Sequence, residues 1–229
     1  MADSLKPMPG APRKSKRDDI LRCFTELVAE HGYDEVSVRD VAEALGISKG
    51  TILHHFGSKE AILEQINNDY MRRRLAEARD YLPGLEDPVD ELQAFICQLM
   101  LSQQDDRAAT VAFSREIVRS ASEPVMAEVR RLRDEFSAVL IEILERGVKS
   151  GAFAGVDPRL TALQIFGMTN WAWTWFVPGG RRTAEEIANQ FSRTVIGGLA
   201  PGEAREGADA ERLTKAVGRA MRAHRPSSG

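Results

Sequence analysis

The chain has 229 residues, of which 43% are hydrophobic and 28% charged, a composition typical of a globular protein with one large or two small domains. The formal net charge is −3, so any basic surface for a polyanionic partner must be local. There is no apolar run of about 18 residues to span a membrane and no apolar N-terminal segment of the secretory kind, so we expect a cytoplasmic protein without a membrane partner. The two cysteines, Cys23 and Cys97, are too few for a disulfide framework and are expected to be buried free thiols.

The N-terminal part reads as an arm followed by an amphipathic helix. Residues 1–14 are rich in Pro, Gly, Ala and Lys and are predicted to be disordered. A helix is predicted from Ser15 to His31, because Ile20, Cys23, Phe24, Leu27 and Val28 recur on one helical face. Gly32 ends this helix.

The segment Val36–Phe56 organises the rest of the chain, since it predicts two short helices joined by a tight turn. Ser37 can cap the first helix, and Asp40 stands three residues later as in a capping box. Gly46 supplies a residue that tolerates a positive φ at the turn. Ser48 can cap a second helix over Lys49–Phe56.

The second of these helices divides into an inward and an outward face. Ile52 and Phe56 lie four residues apart and are predicted to face the core, which leaves Lys49, Thr51, His54 and His55 outside. This pattern is typical of a helix-turn-helix whose second helix enters the DNA major groove. The alternative is an ordinary helical hairpin inside a core.

A family resemblance favours DNA binding. The residues Gly32-Tyr33, Ser37–Ala42, Gly46, Ser48–Thr51, His55-Phe56 and Ser58–Glu60 resemble the N-terminal DNA-binding domain of the TetR family of bacterial repressors. The resemblance implies an all-α homodimer in which a three-helix DNA-binding domain precedes a larger helical domain for a small-molecule ligand and for dimerisation. It implies that Lys49 and Thr51 approach bases and that His54, His55 and Lys59 lie near phosphates. With Ser37 and Gly50 these residues form the predicted DNA surface. Leu53 departs from the family, which usually has a Tyr there, so one phosphate contact is in doubt.

The remaining chain predicts helices throughout. The predicted spans are Lys59–Tyr81, Pro88–Gln104, Arg107–Ser120, a long helix from Glu123-Pro124 to Lys149, a nearly all-apolar helix from Asp157-Pro158 to Phe176, and a helix from the capping box Thr183–Glu186 to Leu199. We therefore divide the chain into the arm 1–14, a DNA-binding domain 15–63, a ligand-binding and dimerisation domain 64–202, and a tail 203–229. The tail is predicted to hold a linker over 202–208 and an amphipathic helix over 210–223.

Aromatic and methionine side chains of the larger domain are candidates for contact with an apolar ligand. The candidates are Met100, Phe113, Ile117, Met126, Met168, Trp171 and Trp175. Each of them fits core packing as well. Segments of 151–187 are similar to a TetR branch that responds to acyl-coenzyme A thioesters, which makes such a thioester one expected effector and other apolar or aromatic molecules the alternatives. Arg72–Arg74, Arg115 and Arg119 are candidate partners for its phosphates.

The last two main helices of the larger domain, which begin at Asp157-Pro158 and at Thr183, carry an apolar excess. The resemblance implies that they pair with their copies in a second subunit. The predicted interface residues are Leu163, Ile187, Phe191 and Val195.

The sequence thus predicts a repressor that leaves palindromic operator DNA when a hydrophobic effector binds. Alternatives are an activator, a DNA-binding protein without a ligand, and an all-helical enzyme. We expect no cofactor, no metal and no catalytic residue, since His54 and His55 are adjacent and do not form an i, i+4 metal pair.

Overall fold

The computed structural model describes residues 15–122, 126–154 and 156–202, and these residues form an all-α fold without strands. The predicted arm 1–14, the residues Glu123-Pro124 at the start of the long helix, and the tail 203–229 lie outside the described residues. The side chains of residues 117–122 also lie outside the described part, and with them the predicted ligand contact of Ile117.

The N-terminal helices are α1 (Lys16–His31), α2 (Val38–Leu45) and α3 (Lys49–Phe56). Ser15 and Ser37 both form capping boxes, in which the serine hydroxyl accepts the backbone N–H three residues on and that aspartate accepts the serine N–H. Gly46 ends α2 in the left-handed region at φ 63°, as the sequence predicted. These local signals set the lengths of the three helices.

The three helices enclose a core that fixes the orientation of α3. Ile20, Phe24 and Val28 of α1 are fully buried, and Val41 of α2 and Ile52 of α3 pack into the same cluster. Because α3 contributes one fully buried side chain, most of its surface remains free.

The helix α4 (Lys59–Tyr81) joins the two parts of the molecule. Ser58 caps it by accepting the Ala61 N–H at 3.1 Å. Its first half buries Ile62 and Leu63 against α1 and α3, and its second half packs on α6 and α7. A single rigid helix therefore belongs to both cores.

The larger part contains α5 (Pro88–Asp105), α6 (Arg107–Ser122), α7 (Ala127–Ser150), α8 (Pro158–Asn170) and α9 (Ala184–Leu199). α5 lies at the centre and packs on α6, α7, α8 and α9, while α6 also packs on α1. The predicted ends of α5 and α6 were one and two residues short, because both helices run on past the last apolar residue of their stripe.

The predicted helix from Asp157 to Phe176 was wrong in its last six residues. α8 ends at Asn170, and Trp171–Thr174 forms a 3₁₀ turn in which the Trp175 N–H donates to the Ala172 carbonyl at 3.2 Å. The tighter turn buries Ala172 and Phe176 between α5 and α9 while Trp173 turns toward α6. Tertiary packing overrides the helical periodicity here.

The nearly all-apolar sequence of this segment favours burial on more than one side, but within the single chain α8 leaves one face exposed. Thr161, Ala162 and Ile165 face the core, whereas Leu160 and Leu163 are 56% and 66% exposed. Trp171, Trp175 and Val177 continue the exposed apolar surface past the end of the helix.

Candidate DNA-binding surface and ligand cavity

The outward face of α3 presents polar side chains on a rigid support. Ser48 caps the helix by accepting the Thr51 N–H at 3.1 Å. Lys49, Gly50, His54 and His55 are exposed, so these four predicted DNA residues are accessible on α3. Leu53, the residue that departs from the family resemblance, is exposed as well.

Three predicted DNA residues have side chains that already contact the protein. Thr51 is half-buried, and its hydroxyl lies 2.9 Å from that of Ser48. Ser37 is exposed, but its hydroxyl accepts the Asp40 N–H at 3.3 Å. Lys59 is half-buried with its Nζ 4.0 Å from the centre of the Tyr33 ring. These contacts within the DNA-binding part restrict the positions of the three side chains.

Tyr33, which follows α1, contacts both parts of the molecule. Its hydroxyl donates to Glu60 Oε1 at 3.3 Å, and its backbone N–H donates to Glu116 Oε1 of α6 at 3.2 Å. Glu116 is 7% exposed, so this hydrogen bond lies in the interior. Sequence reasoning missed it, because no periodicity relates residues 83 positions apart.

A cavity of about 870 Å³ lies in the larger part of the molecule, within the size range of small-molecule sites. α4, α5, α6, α7, α8 and the 3₁₀ turn contribute to its wall. Tyr70 stacks on Phe113 with ring centres 4.7 Å apart, and Phe136 and Phe166 add further aromatic surface. The wall is therefore largely apolar and aromatic.

The same wall carries three arginines and one acid. Arg74 is 4% exposed and donates to Glu77 at 2.7 Å and to Asp106 at 3.3 Å. Arg133 is half-buried, and this burial lowers the pKa of its guanidinium, while the neighbouring Asp134 acts in the opposite direction. Arg115 lies over the Trp173 ring at 5.5 Å. An anion in the cavity would meet more positive than negative charge.

The structure brings together only some of the predicted ligand residues. Phe113 and Trp171 line the cavity. Met100 is fully buried in a separate cluster between α5 and α9, and Met126 lies in the main core. Met168 is partly buried against that core, and Trp175 packs near Phe191 with ring centres 6.3 Å apart. The six candidates whose side chains the structure describes thus do not form one site. Apolar stripes identify core-facing residues but do not distinguish a cavity wall from a filled core.

The cavity wall includes residues that the sequence did not single out, among them Tyr70, Phe136, Phe166 and Arg133. Leu163, predicted for the dimer interface, lies both at the cavity rim and on the exposed face of α8. Ile187, Phe191 and Val195 of α9 are half-buried within the single chain. Of the predicted interface residues, Leu163 has the largest free apolar surface.

The described residues offer neither a cluster of metal ligands nor a membrane-spanning helix. Within residues 15–122, 126–154 and 156–202, no group of three or more His, Cys, Asp or Glu side chains is arranged to hold a metal ion. In the same ranges no helix is long and apolar enough to cross a lipid bilayer.

An exposed polar helix on a helix-turn-helix core, joined to a helical part with a ligand-sized cavity, defines the class of DNA-binding transcriptional regulators. Comparison with known proteins gives the family. Residues 20–66 match the model described as bacterial regulatory proteins of the tetR family, and residues 85–199 match the tetracyclin repressor-like C-terminal domain. The chain belongs to the TetR family, whose regulators are ligand-binding homodimers.

Relatives match over most of their length. The transcriptional repressor KstR2 of Mycobacterium tuberculosis (strain H37Rv) is 27% identical over 81% of this chain and 93% of its own. The structure of PfmR from Thermus thermophilus shares 34% identity over 80% of this chain and 99% of that chain, with a TM-score of 0.72. AibR, solved with isovaleryl coenzyme A and operator DNA, has a TM-score of 0.72 at 24% identity over 80% of this chain and 98% of that chain, which shows a shared fold.

Proposed function

We propose that this protein is a ligand-responsive repressor that binds a near-palindromic operator as a homodimer and leaves it when a small apolar effector, of the acyl-coenzyme A class, enters the cavity. The observation that carries the proposal is the direct packing of α6, which lines the cavity, on α1 of the DNA-binding part. Effector and DNA thus act on one connected structure.

At the DNA end, the α3 helices of two subunits enter successive major grooves about 34–36 Å apart. Lys49 and Thr51 approach bases, while His54, His55 and Lys59 lie near phosphates. The exposure of Lys49 and of both histidines supports these roles. Because the molecule is acidic overall, these local cations account for attraction to phosphates, and the affinity falls with salt.

At the cavity end, the aromatic wall suits an apolar acyl or ring system, and Arg74, Arg115 and Arg133 suit negative charge. An acyl-coenzyme A thioester combines both properties. AibR, which shares the fold, was solved with such a thioester and with operator DNA, so the fold accommodates both ligands.

Communication between the two ends runs through α6. Arg115 lines the cavity, and its Nη1 lies 3.5 Å from where a side chain on Gly32 would begin. The next residue, Glu116, accepts the Tyr33 N–H. An effector that prefers one position of α6 therefore changes the placement of the turn between α1 and α2. By linkage, DNA weakens effector binding by the same factor.

Fluorescence anisotropy with duplexes obtained by selection from random sequence tests this function. We expect specific, salt-dependent binding that one or more acyl-coenzyme A thioesters release. Selection of no specific duplex would contradict the DNA-binding role. Specific binding that a panel of thioesters leaves unchanged would retain the regulator and reject this effector class.

A further inference from the structure

Two arginines in the cavity wall lack the acidic partners that nearby arginines have. Arg73 donates to Asp106 at 2.9 Å and Arg131 to Glu128 at 2.8 Å. In the described part of the chain, by contrast, no hydrogen bond or ion pair holds the guanidinium of Arg115 or Arg133. Both residues line the cavity.

The half-buried position of Arg133 makes the missing partner significant. Burial of an unpaired guanidinium costs free energy, which is consistent with the lowered pKa of Arg133. Asp134 lies next in sequence and lines the same wall, but no carboxylate oxygen of it is within ion-pair distance of Arg133. A group with two acceptor oxygens could pair with the guanidinium in the bidentate geometry that arginine favours.

Arg115 is exposed, and its guanidinium lies over the Trp173 ring, 5.5 Å from the ring centre, on a different helix of the same cavity wall. A contact with an aromatic face gives the guanidinium N–H donors no acceptor oxygen, so they can still pair with an anion. Arg74 differs, because Glu77 and Asp106 already accept from it. The unneutralised charge of the cavity therefore lies at Arg115 and Arg133.

We propose that Arg115 and Arg133 form an anion-recognition site, so that the effector of this cavity is an apolar body carrying a carboxylate or phosphate. The apolar body packs on Phe113, Phe136 and Phe166, and the anion pairs with the two guanidinium groups. This inference rests on the effector cavity of the proposed function and specifies the chemistry that the cavity selects.

A matched pair of fluorescent probes tests the charge preference without DNA. The anionic dye 1-anilinonaphthalene-8-sulfonate and the neutral N-phenyl-1-naphthylamine share one apolar body and differ in the sulfonate. We expect one dye molecule per chain, with the sulfonate bound roughly ten- to a hundredfold more tightly, as for a hydrogen-bonded charge. Equal affinity for the two dyes would overturn the proposal.

Variants locate that preference. Arg133→Met and Arg115→Met should each lose most of the preference for the sulfonate while binding the neutral dye as before. Arg131→Met is the matched control, since Arg131 lies on the same helix as Arg133, outside the cavity wall, and pairs with Glu128 and Glu135. It should retain the full preference. A preference that survives in both cavity variants would overturn the assignment, and retained binding of the neutral dye shows that each variant is folded.

Competition against the sulfonate dye distinguishes the source of the anion. Decanoate presents a carboxylate, decanoyl-coenzyme A presents phosphates, and methyl decanoate presents neither. Displacement by decanoate assigns the site to a free acid, and displacement by the thioester alone assigns it to phosphate. If methyl decanoate displaced the dye as effectively as both charged compounds do, the proposal would be overturned. It would also be overturned if none of the three compounds displaced the dye. Since no duplex is involved, these outcomes are separate from the test of repression.

Discussion

At the scale of single residues, α3 shows how adjacent positions take opposite roles. Ile52 is fully buried and Leu53 is 36% exposed, although both are aliphatic and neighbours in sequence. The helical rotation of about 100° per residue decides which of them packs in the core. The same rotation places Lys49 outside, where it can contact DNA.

Replacing Lys49 by alanine should weaken operator binding by about tenfold or more, since a hydrogen bond to a charged group is lost. If Lys49 also neutralises a phosphate, the slope of log affinity against log salt should fall by about 0.9. Anisotropy titrations at several salt concentrations measure both quantities. Lys149→Ala, an exposed lysine at the end of α7, is the control. Unchanged affinity and slope would contradict the placement of Lys49.

Replacing Ile52 by alanine should lower the free energy of unfolding by about 2–5 kcal/mol, because a fully buried aliphatic side chain leaves a cavity in the small core. Leu53→Ala, on the exposed side of the same helix, should change it by less than about 0.5 kcal/mol. Denaturant unfolding of the wild type and both variants at the same protein concentration measures these differences in free energy. Equal effects would show that the core of the DNA-binding part is assigned wrongly.

At the scale of elements, α4 and α6 link the two parts in different ways. α4 contributes buried residues to both cores, whereas α6 reaches the DNA-binding part through contacts with α1. Salt bridges join α4 to α7: Arg72 pairs with Glu128, and Arg79 pairs with Glu135. Each link depends on a few side chains and can be tested separately.

The buried hydrogen bond from the Tyr33 N–H to Glu116 can be tested with two variants. Glu116→Ala leaves the N–H without this acceptor in the interior and should cost about 1–3 kcal/mol of stability. Glu116→Gln retains an acceptor oxygen and should cost less. Both should reduce the ratio between DNA affinities with and without effector. An alanine variant that is as stable and as responsive as the wild type would rule out this contact as a link.

The ion pairs of Glu128 predict a dependence of stability on pH. Its hydrogen bond with Arg131 is the main reason that the pKa of Glu128 falls to about 2, below the 4.5 of the free carboxyl. Because the folded-state pKa is lower, the stabilisation is present above about pH 4.5 and is lost as the pH falls toward 2. Glu128→Gln should therefore be less stable than the wild type at pH 6, with a difference that shrinks as the pH falls from about 4.5 toward 2. Urea unfolding at each pH measures it, and a constant difference would contradict this account.

At the scale of the whole molecule, the exposed apolar surface of α8 and the 3₁₀ turn indicates assembly. Leu160, Leu163, Trp171, Trp175 and Val177 are exposed large apolar side chains in a stretch of 18 residues, and such a patch is unusual on a monomer. The predicted pairing of α8 and α9 with their copies would cover it. Two α3 helices would then face DNA at a fixed separation.

Replacing Leu163 by aspartate should convert the dimer to a monomer, because a charge would be buried in an apolar interface. Sedimentation velocity measures the mass, and operator affinity should fall with it. Ala76→Asp places the same charge at an exposed position of α4 and should leave the dimer intact. A wild-type chain that sediments as a monomer would contradict the predicted assembly.

The features that the sequence determined are local ones. Capping serines, the glycine at the α2–α3 turn and the apolar stripes of α1 to α7 act within a few residues, so the helices, the helix-turn-helix and the exposed face of α3 could be predicted. The break of α8 at Asn170, the separation of Met100 from the cavity and the contact of Glu116 with Tyr33 depend on packing between distant segments. Only the tertiary structure decided them, because a periodicity shows which side of a helix is apolar but not whether a neighbour, a cavity or a second chain lies against it.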